Sequence, residues 1–370
     1  MGVSFPTGRE RGVEFTFGEL TGAVGDSVTV LPLVVALGAL TDASLAHVLL
    51  GFGVFQVVWG LRYGLPVSVE PMKALVGLAI AGTLAYGELV AAGLLAGGVL
   101  LFAGRAGLVG RVRSVVGRPV VRGVQLGVAL LLARAGLDLA VGDPVVAAAG
   151  LGVAGLAALL DRQLAALAVL VAGTAVALRA GTPTVSVPSP AVFPAGSPTL
   201  TRGALSGLAA QLAMTVGNAA VATSLLLDDL YGADVSADEL AGSMGVTNLL
   251  AVPLGGAPMC HGSGGLAGKH AFGARTGGAN VLLGLGYAGA ALVAGLWVGF
   301  PTAALGVLLL VVAAGLGRVA LGEGSGVDRG IVIGVGALSI FINVGVGFIA
   351  GAGAWWLLDR GRGRDGRDRE

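Results

Sequence analysis

Charge is scarce in this sequence. Of 370 residues only 12% are Asp, Glu, Lys or Arg, about half the share of a soluble domain. Lysine is nearly missing, since Lys73 and Lys269 stand against twenty arginines. The 22 basic and 21 acidic residues leave a net charge of +1, and without a dense basic face an electrostatic nucleic-acid binder is excluded. A single cysteine, Cys260, excludes a disulfide framework. Arg9, Glu10, Arg11, Glu14 and Glu19 precede the apolar run from Leu20. No small-residue cleavage site follows a short apolar core there, so no removable signal peptide is expected.

What the chain has instead is apolar length. Hydrophobic residues make up 55% and the mean hydropathy is +0.90, which excludes a water-soluble globule and places the chain in a lipid bilayer. The 67 glycines let transmembrane helices approach closely. Apolar runs near 17–40, 45–60, 66–82, 88–104, 119–139, 144–160 and 163–179 predict seven spans. Runs near 202–227, 241–256, 258–275, 279–299, 301–317, 331–343 and 345–358 predict seven more, several too short for a full crossing.

Between the two sets, Pro183, Pro188, Pro190, Pro194 and Pro198 mark an extended linker that cannot continue a helix. The expected organisation is a first repeat over 1–180, a linker over 181–200, a second repeat over 201–358 and a charged tail over 359–370, read as a solvated, disordered end. Arg105, Arg111, Arg113, Arg118 and Arg122 surround one connection, and basic loops stay cytoplasmic. Both termini are then expected in the cytoplasm of a multi-pass plasma-membrane protein.

The halves echo each other in their polar residues. Ala23-Val24-Gly25-Asp26 matches Thr215-Val216-Gly217-Asn218, and Gly53-Val54-Phe55-Gln56 matches Gly245-Val246-Thr247-Asn248, both at an offset of 192. Glu70-Pro71-Met72 matches Ala257-Pro258-Met259 at 187. With an odd number of spans per half, the second half enters the membrane from the opposite side, and an inverted repeat with two interrupted helices is expected. Each interruption is placed at a Pro-Met element, with Pro71 and Pro258 in the first turn of a helix. Two such N-termini facing each other near the midplane offer unpaired N–H groups and partial positive charge, a cradle for an oxyanion.

Several side chains could serve that cradle. Lys73 is an intramembrane cation that either meets the anion or merely pairs with Glu70 three positions earlier. Gly262, Ser263 and Gly264 bring amides and a hydroxyl close, with His261 a neutral or switchable donor or a packed histidine. Asp26 either carries a coupling proton or braces its helix. Thr215 and Asn218 line the cavity or tie helices together, as do Gln56, Gln211 and Asn248. Lys269, eleven residues past Pro258 and so about 16 Å along a helix, reads as a cytoplasmic anchor. Glu19 reads as structural. A metal site is not expected, because His261 and His270 lie about 13 Å apart on a continuous helix. Cys260 lacks an oriented base for nucleophilic chemistry.

These motifs resemble the molybdate transporter family, a branch related to SulP sulfate permeases. The likeness rests on Glu19-Leu20-Thr21-Gly22-Ala23-Val24-Gly25-Asp26, Glu70-Pro71-Met72-Lys73-Ala74, Thr215-Val216-Gly217-Asn218-Ala219 and Pro258-Met259-Cys260-His261-Gly262-Ser263-Gly264-Gly265. Where that family usually has glutamine before Pro-Met-Lys this chain has Glu70, and Lys269-His270 replaces an expected Gln-Tyr. The resemblance implies an all-α polytopic 7+7 inverted repeat with core and gate subdomains and no STAS domain. It also implies a non-enzymatic symporter of molybdate first and sulfate second, working by alternating access without a cofactor. The substrate residues expected are Asp26, Glu70, Met72, Lys73, Thr215, Asn218, Met259, Cys260, His261, Gly262, Ser263 and Gly264. A coupling proton and a homodimer are the further partners it allows. A nucleobase or organic-anion carrier, an intramembrane enzyme using Cys260 and His261, and a passive channel are the alternatives.

Overall fold

The computed structural model describes residues 12–110, 117–180, 185–322 and 326–365. Arg111, Arg113, Pro183 and the last five residues of the expected tail lie outside them.

The first half runs α1 (Phe17–Leu40), α2 (Leu45–Tyr63), strand β1 (Val69–Pro71), α3 (Lys73–Ile80), α4 (Tyr86–Arg105), α5 (Arg118–Ala140), α6 (Pro144–Leu160) and α7 (Leu164–Ala180). The second runs α8 (Arg202–Met214), a π-helical stretch (Thr215–Ala222) and α9 (Thr223–Tyr231) as one continuous rod. It continues through α10 (Ala237–Ala251), β2 (Met259–His261), α11 (Ser263–Ala271), α12 (Gly278–Leu292), α13 (Thr302–Leu321), α14 (Val327–Phe341) and α15 (Val344–Asp365). Helix α2, α4, α5, the α8–α9 rod and α13 are each long and apolar enough to cross a membrane, and α1 joins them if its bent halves are one span. That bend of 43° falls between Val28 and Val30, where Pro32 has no N–H to give the carbonyl four residues back.

The expected spans at 66–82 and 258–275 are not continuous helices. Each is an extended strand followed by a helix of 8 or 9 residues, about 12–14 Å long. Neither proline opens its helix. Pro71 closes β1, and Pro258 precedes β2 by one residue. The helices start two residues after Pro71 and five after Pro258, at Lys73 and Ser263.

The packing has a two-fold character. Helix α2 packs along α12, and its counterpart α10 packs along α4. Helix α5 packs along α13, while α13 also meets α6 and α7 as α5 meets α14 and α15. Small residues make the first contact close: a Cβ at Gly53 would lie 2.8 Å from the Gly284 carbonyl oxygen, and one at Gly284 would lie 2.5 Å from that of Gly53. This is the all-α inverted-repeat architecture of a polytopic membrane protein.

The described part of the proline-rich linker, from 185 to 200, is tied down by backbone hydrogen bonds. Ser186 N–H donates to Leu292 O, Phe193 N–H to Pro253 O and Thr199 N–H to Gly87 O, at 2.9, 2.7 and 2.8 Å. At the other end, α15 continues through Asp365, so the first part of the tail is helical where a disordered end was expected.

Candidate functional site

The two strands form an antiparallel ladder, with Val69 opposite His261, Glu70 opposite Cys260 and Pro71 opposite Met259. Two-fold symmetry about this ladder relates residue 69 to 259, an equivalence of 190 positions. The Pro-Met match at 187 is therefore out of register by three residues. Each strand is held by an amide from the preceding helix of its own half. Gln56 Nε2 donates to Val69 O at 3.1 Å, and Asn248 Nδ2 donates to Met259 O at 2.7 Å. Asn248 Oδ1 also accepts from Met259 N–H at 2.8 Å, so the sequence match of Gln56 with Asn248 is the same clamp used twice.

The short helices α3 and α11 leave the ladder in opposite directions, and each N-terminus is closed by a side chain from elsewhere. Gln211 Oε1 accepts from Ala74 N–H at 2.9 Å and Leu75 N–H at 3.4 Å, while its Nε2 donates to Thr215 Oγ1 at 2.9 Å. Thr215 thus positions Gln211. At α11 the closing group is charged: Glu70 Oε1 accepts from Gly265 N–H at 2.7 Å, and Glu70 Oε2 pairs with Lys73. Gly262 and Gly265 are required for this approach, because a Cβ on either would fall 1.8 or 2.3 Å from Glu70 Oε1.

The charges are arranged economically. The α11 N-terminus carries about half a positive charge, Lys73 a full one, and the Glu70 carboxylate is the negative group that faces both. An anion needs the same partners that Glu70 holds. Lys73 and Ser263 are half-buried and Gly264 is exposed, whereas Glu70 is buried, so the opening lies on the Lys73–Ser263–Gly264 side. The π-helical stretch bearing half-buried Asn218 packs against β2 and α11. Such π turns recur at functional positions.

The reading of Lys269 changes, and Asp26 and His261 take defined partners. Lys269 is no cytoplasmic anchor: it is wholly buried, with its Nζ 3.1 Å from Asp26 Oδ2, 3.1 Å from Gln56 Oε1 and 2.6 Å from Asn280 Oδ1. Its distance along the helix was overestimated because α11 starts at Ser263, which leaves Lys269 only six residues into a short helix. Asp26, expected as a proton carrier or a brace, is the partner of that lysine, and Ser68 Oγ donates to its Oδ1 at 2.6 Å. His261 does not face the cradle. Its Nδ1 meets Ser68 O at 3.0 Å and its Nε2 meets Ser243 Oγ at 2.7 Å, with the rings of Trp59 and Tyr63 edge-on to it.

The other expected residues fall as follows. Met72 and Met259 are fully buried, and Met72 N–H is taken by Pro258 O at 2.8 Å, so it is not free for an anion. Cys260 Sγ lies 3.9 Å from Pro71 O and is buried, with the neighbouring imidazole turned elsewhere. Among the described residues no cluster of His, Cys, Asp and Glu could hold a metal ion. Glu19 is structural: its carboxylate accepts from the N–H groups of Arg275, Thr276 and Ala279, holding the start of α12. Sequence reasoning missed Ser68 and Asn280. The isolation of Lys269 among arginines was the one signal that could have led to them.

Comparison with known proteins agrees with this architecture. A family model described as "Molybdate transporter of MFS superfamily" matches residues 18–132 and 203–316, one segment in each half. Molybdate transporter 1 of Arabidopsis thaliana is 29% identical over 412 residues, covering 94% of this chain and 90% of the plant protein. Molybdate transporter 2 of the same plant is 29% identical over 409 residues, covering 92% and 87%. Among solved structures, the transmembrane domain of the cyanobacterial bicarbonate transporter BicA superposes with a TM-score of 0.67 at 18% identity, covering 90% of this chain and 97% of that one. The murine anion transporter Slc26a9 in its inward-facing state superposes with a TM-score of 0.70 at 14% identity, covering 94% and 69%. At such identities the structural likeness establishes the fold, while the sequence matches establish the kinship: the chain belongs to the molybdate transporter family.

Proposed function

We propose that this chain is a secondary carrier of a tetrahedral oxyanion, molybdate first and sulfate second. In this reading it works by alternating access in the plasma membrane with both termini cytoplasmic. Residues 1–180 and 201–358 act as the two repeats, and 359–370 as a cytoplasmic tail. One observation carries the reading: an acidic side chain, Glu70, occupies the N-terminus of α11 beside Lys73. Helix N-termini bind oxyanions through exposed amides and the helix dipole, and here the chain supplies its own negative group in that position.

The substrate then displaces Glu70. As the carboxylate withdraws or takes up a proton, Gly265 N–H, the Lys73 ammonium and the Ser263 hydroxyl turn to the oxyanion, with Asn218 lining the approach. The coupling proton is placed on Glu70, whose partner Lys73 is half-buried, in preference to Asp26, whose partner Lys269 is wholly buried. Uptake of labelled molybdate and labelled sulfate into proteoliposomes under an imposed proton gradient tests this. Accumulation of either anion, driven by an acidic outer solution, is expected. Absence of uptake of both under every gradient refutes the proposal.

The same carboxylate supports a second reading, a carrier of nucleobases or organic anions, since a buried Glu70 suits N–H groups of a heterocycle. Thermal stabilisation by uracil or xanthine, with none by molybdate or sulfate, would favour it.

A further inference from the structure

Lys269 differs from Lys73 in having no exposed surface at all, and its three N–H directions end on three oxygens. Each oxygen comes from a different helix: Asp26 from α1, Gln56 from α2 and Asn280 from α12. None is free to turn away. Gln56 Nε2 donates to both Asp26 Oδ2 and Val69 O, at 3.0 and 3.1 Å, which fixes its Oε1 toward the lysine. Asn280 Nδ2 donates to Val67 O at 2.5 Å, which fixes its Oδ1 likewise. The cage is thus one carboxylate and two carboxamide oxygens, converging on one point with one net negative charge. Oriented oxygens of this kind are the ligand set that hard cations take, and the cation found there is an ammonium tethered to α11.

We infer that the Lys269 ammonium fills a monovalent-cation site and substitutes permanently for a dissolved ion such as sodium. The cage joins α1, α2 and α12 to the 67–69 segment that leads into β1. With the charge supplied by the chain, the core needs no sodium from solution. A plain structural lysine would also stabilise these helices, but its loss would not be repaired by a small cation.

The test is the melting temperature of the detergent-purified full chain in sodium chloride, ammonium chloride and N-methylglucamine chloride at equal ionic strength. Wild type is expected to melt at one temperature in all three. Lys269→Ala, which empties the cage, is expected to melt lower in N-methylglucamine chloride and to recover by several degrees, saturably, in sodium or ammonium chloride, as binding to the folded state requires. Lys269→Gln fills the space with a neutral side chain and is expected to be indifferent to the salt. A folded Lys269→Ala protein with the same melting temperature in all three salts overturns the inference. So does a wild-type protein that sodium stabilises over N-methylglucamine, a measurement that needs no variant. Because melting is read without substrate, failure of molybdate uptake leaves this test intact.

Discussion

Glu70 and Gly265 are 195 positions apart in the chain, yet the carboxylate of one caps the amide of the other at 2.7 Å. A side chain of the first repeat closes the helix of the second, while Gln211 of the second repeat closes α3 of the first. The exchange is reciprocal in position but not in charge, and the site's chemistry follows from that asymmetry.

Glu70→Gln removes the negative charge that competes with a substrate anion and keeps the shape. Molybdate binding, measured by calorimetry, is expected to tighten at least about tenfold at pH 8, or ~1.4 kcal/mol. Equal affinities of the two proteins at pH 8 would sink the competition argument.

The glycines of α11 separate steric demand from mere helix composition. A Cβ at Gly265 would sit 2.3 Å from Asp26 Oδ1, Glu70 Oε1 and Ser68 Oγ, while one at Gly264 meets nothing within 4 Å. Gly265→Ala is expected to lower stability by about 1–3 kcal/mol, the usual range for overpacking, and Gly264→Ala to leave the melting temperature unchanged or slightly higher. Equal melting of the two variants would contradict the close approach of Glu70.

Gln211→Leu uncaps α3 and leaves Thr215 without its amide donor. A loss of about 0.5–2 kcal/mol is expected, as for other N-terminal caps. Thr215→Val should cost less, because it leaves the Gln211 oxygen in place. The comparison is a denaturation series in matched detergent, and a larger loss for Thr215→Val would reverse the assigned roles.

Asp26→Ala strands a buried ammonium and is expected to cost about 3–5 kcal/mol, the range for removing one partner of a buried pair. The Asp26→Asn, Lys269→Met double variant removes both charges and should recover most of that stability. A double variant as unstable as the single one would mean that the two charges do not act as a pair.

How much of this was legible in the sequence depends on what the signal measured. The match of Gln56 with Asn248 was readable because an amide inside an apolar span must find a partner, and both amides hold the same strand position. The match of Pro71 with Pro258 was misleading, because a proline that ends one strand and a proline that precedes the other are alike in letters and unlike in position. Lys269 was misjudged by counting helix rise from Pro258, when four residues of extended chain intervene before the helix begins. The reach of Glu70 to Gly265 had no signature in either segment alone, since it depends on how the ladder sets two distant glycines beside one carboxylate.

The ladder of β1 and β2 has one more consequence. Among the described residues each strand finds its partner only in the other repeat, and bare peptide groups are intolerable in hydrocarbon. If the chain were severed at the proline-rich linker and its pieces made separately, neither would mature by itself. Val69 to Pro71 would wait, unsatisfied, for Met259 to His261, so the two fragments would have to recognise each other within the bilayer before either could reach its finished shape.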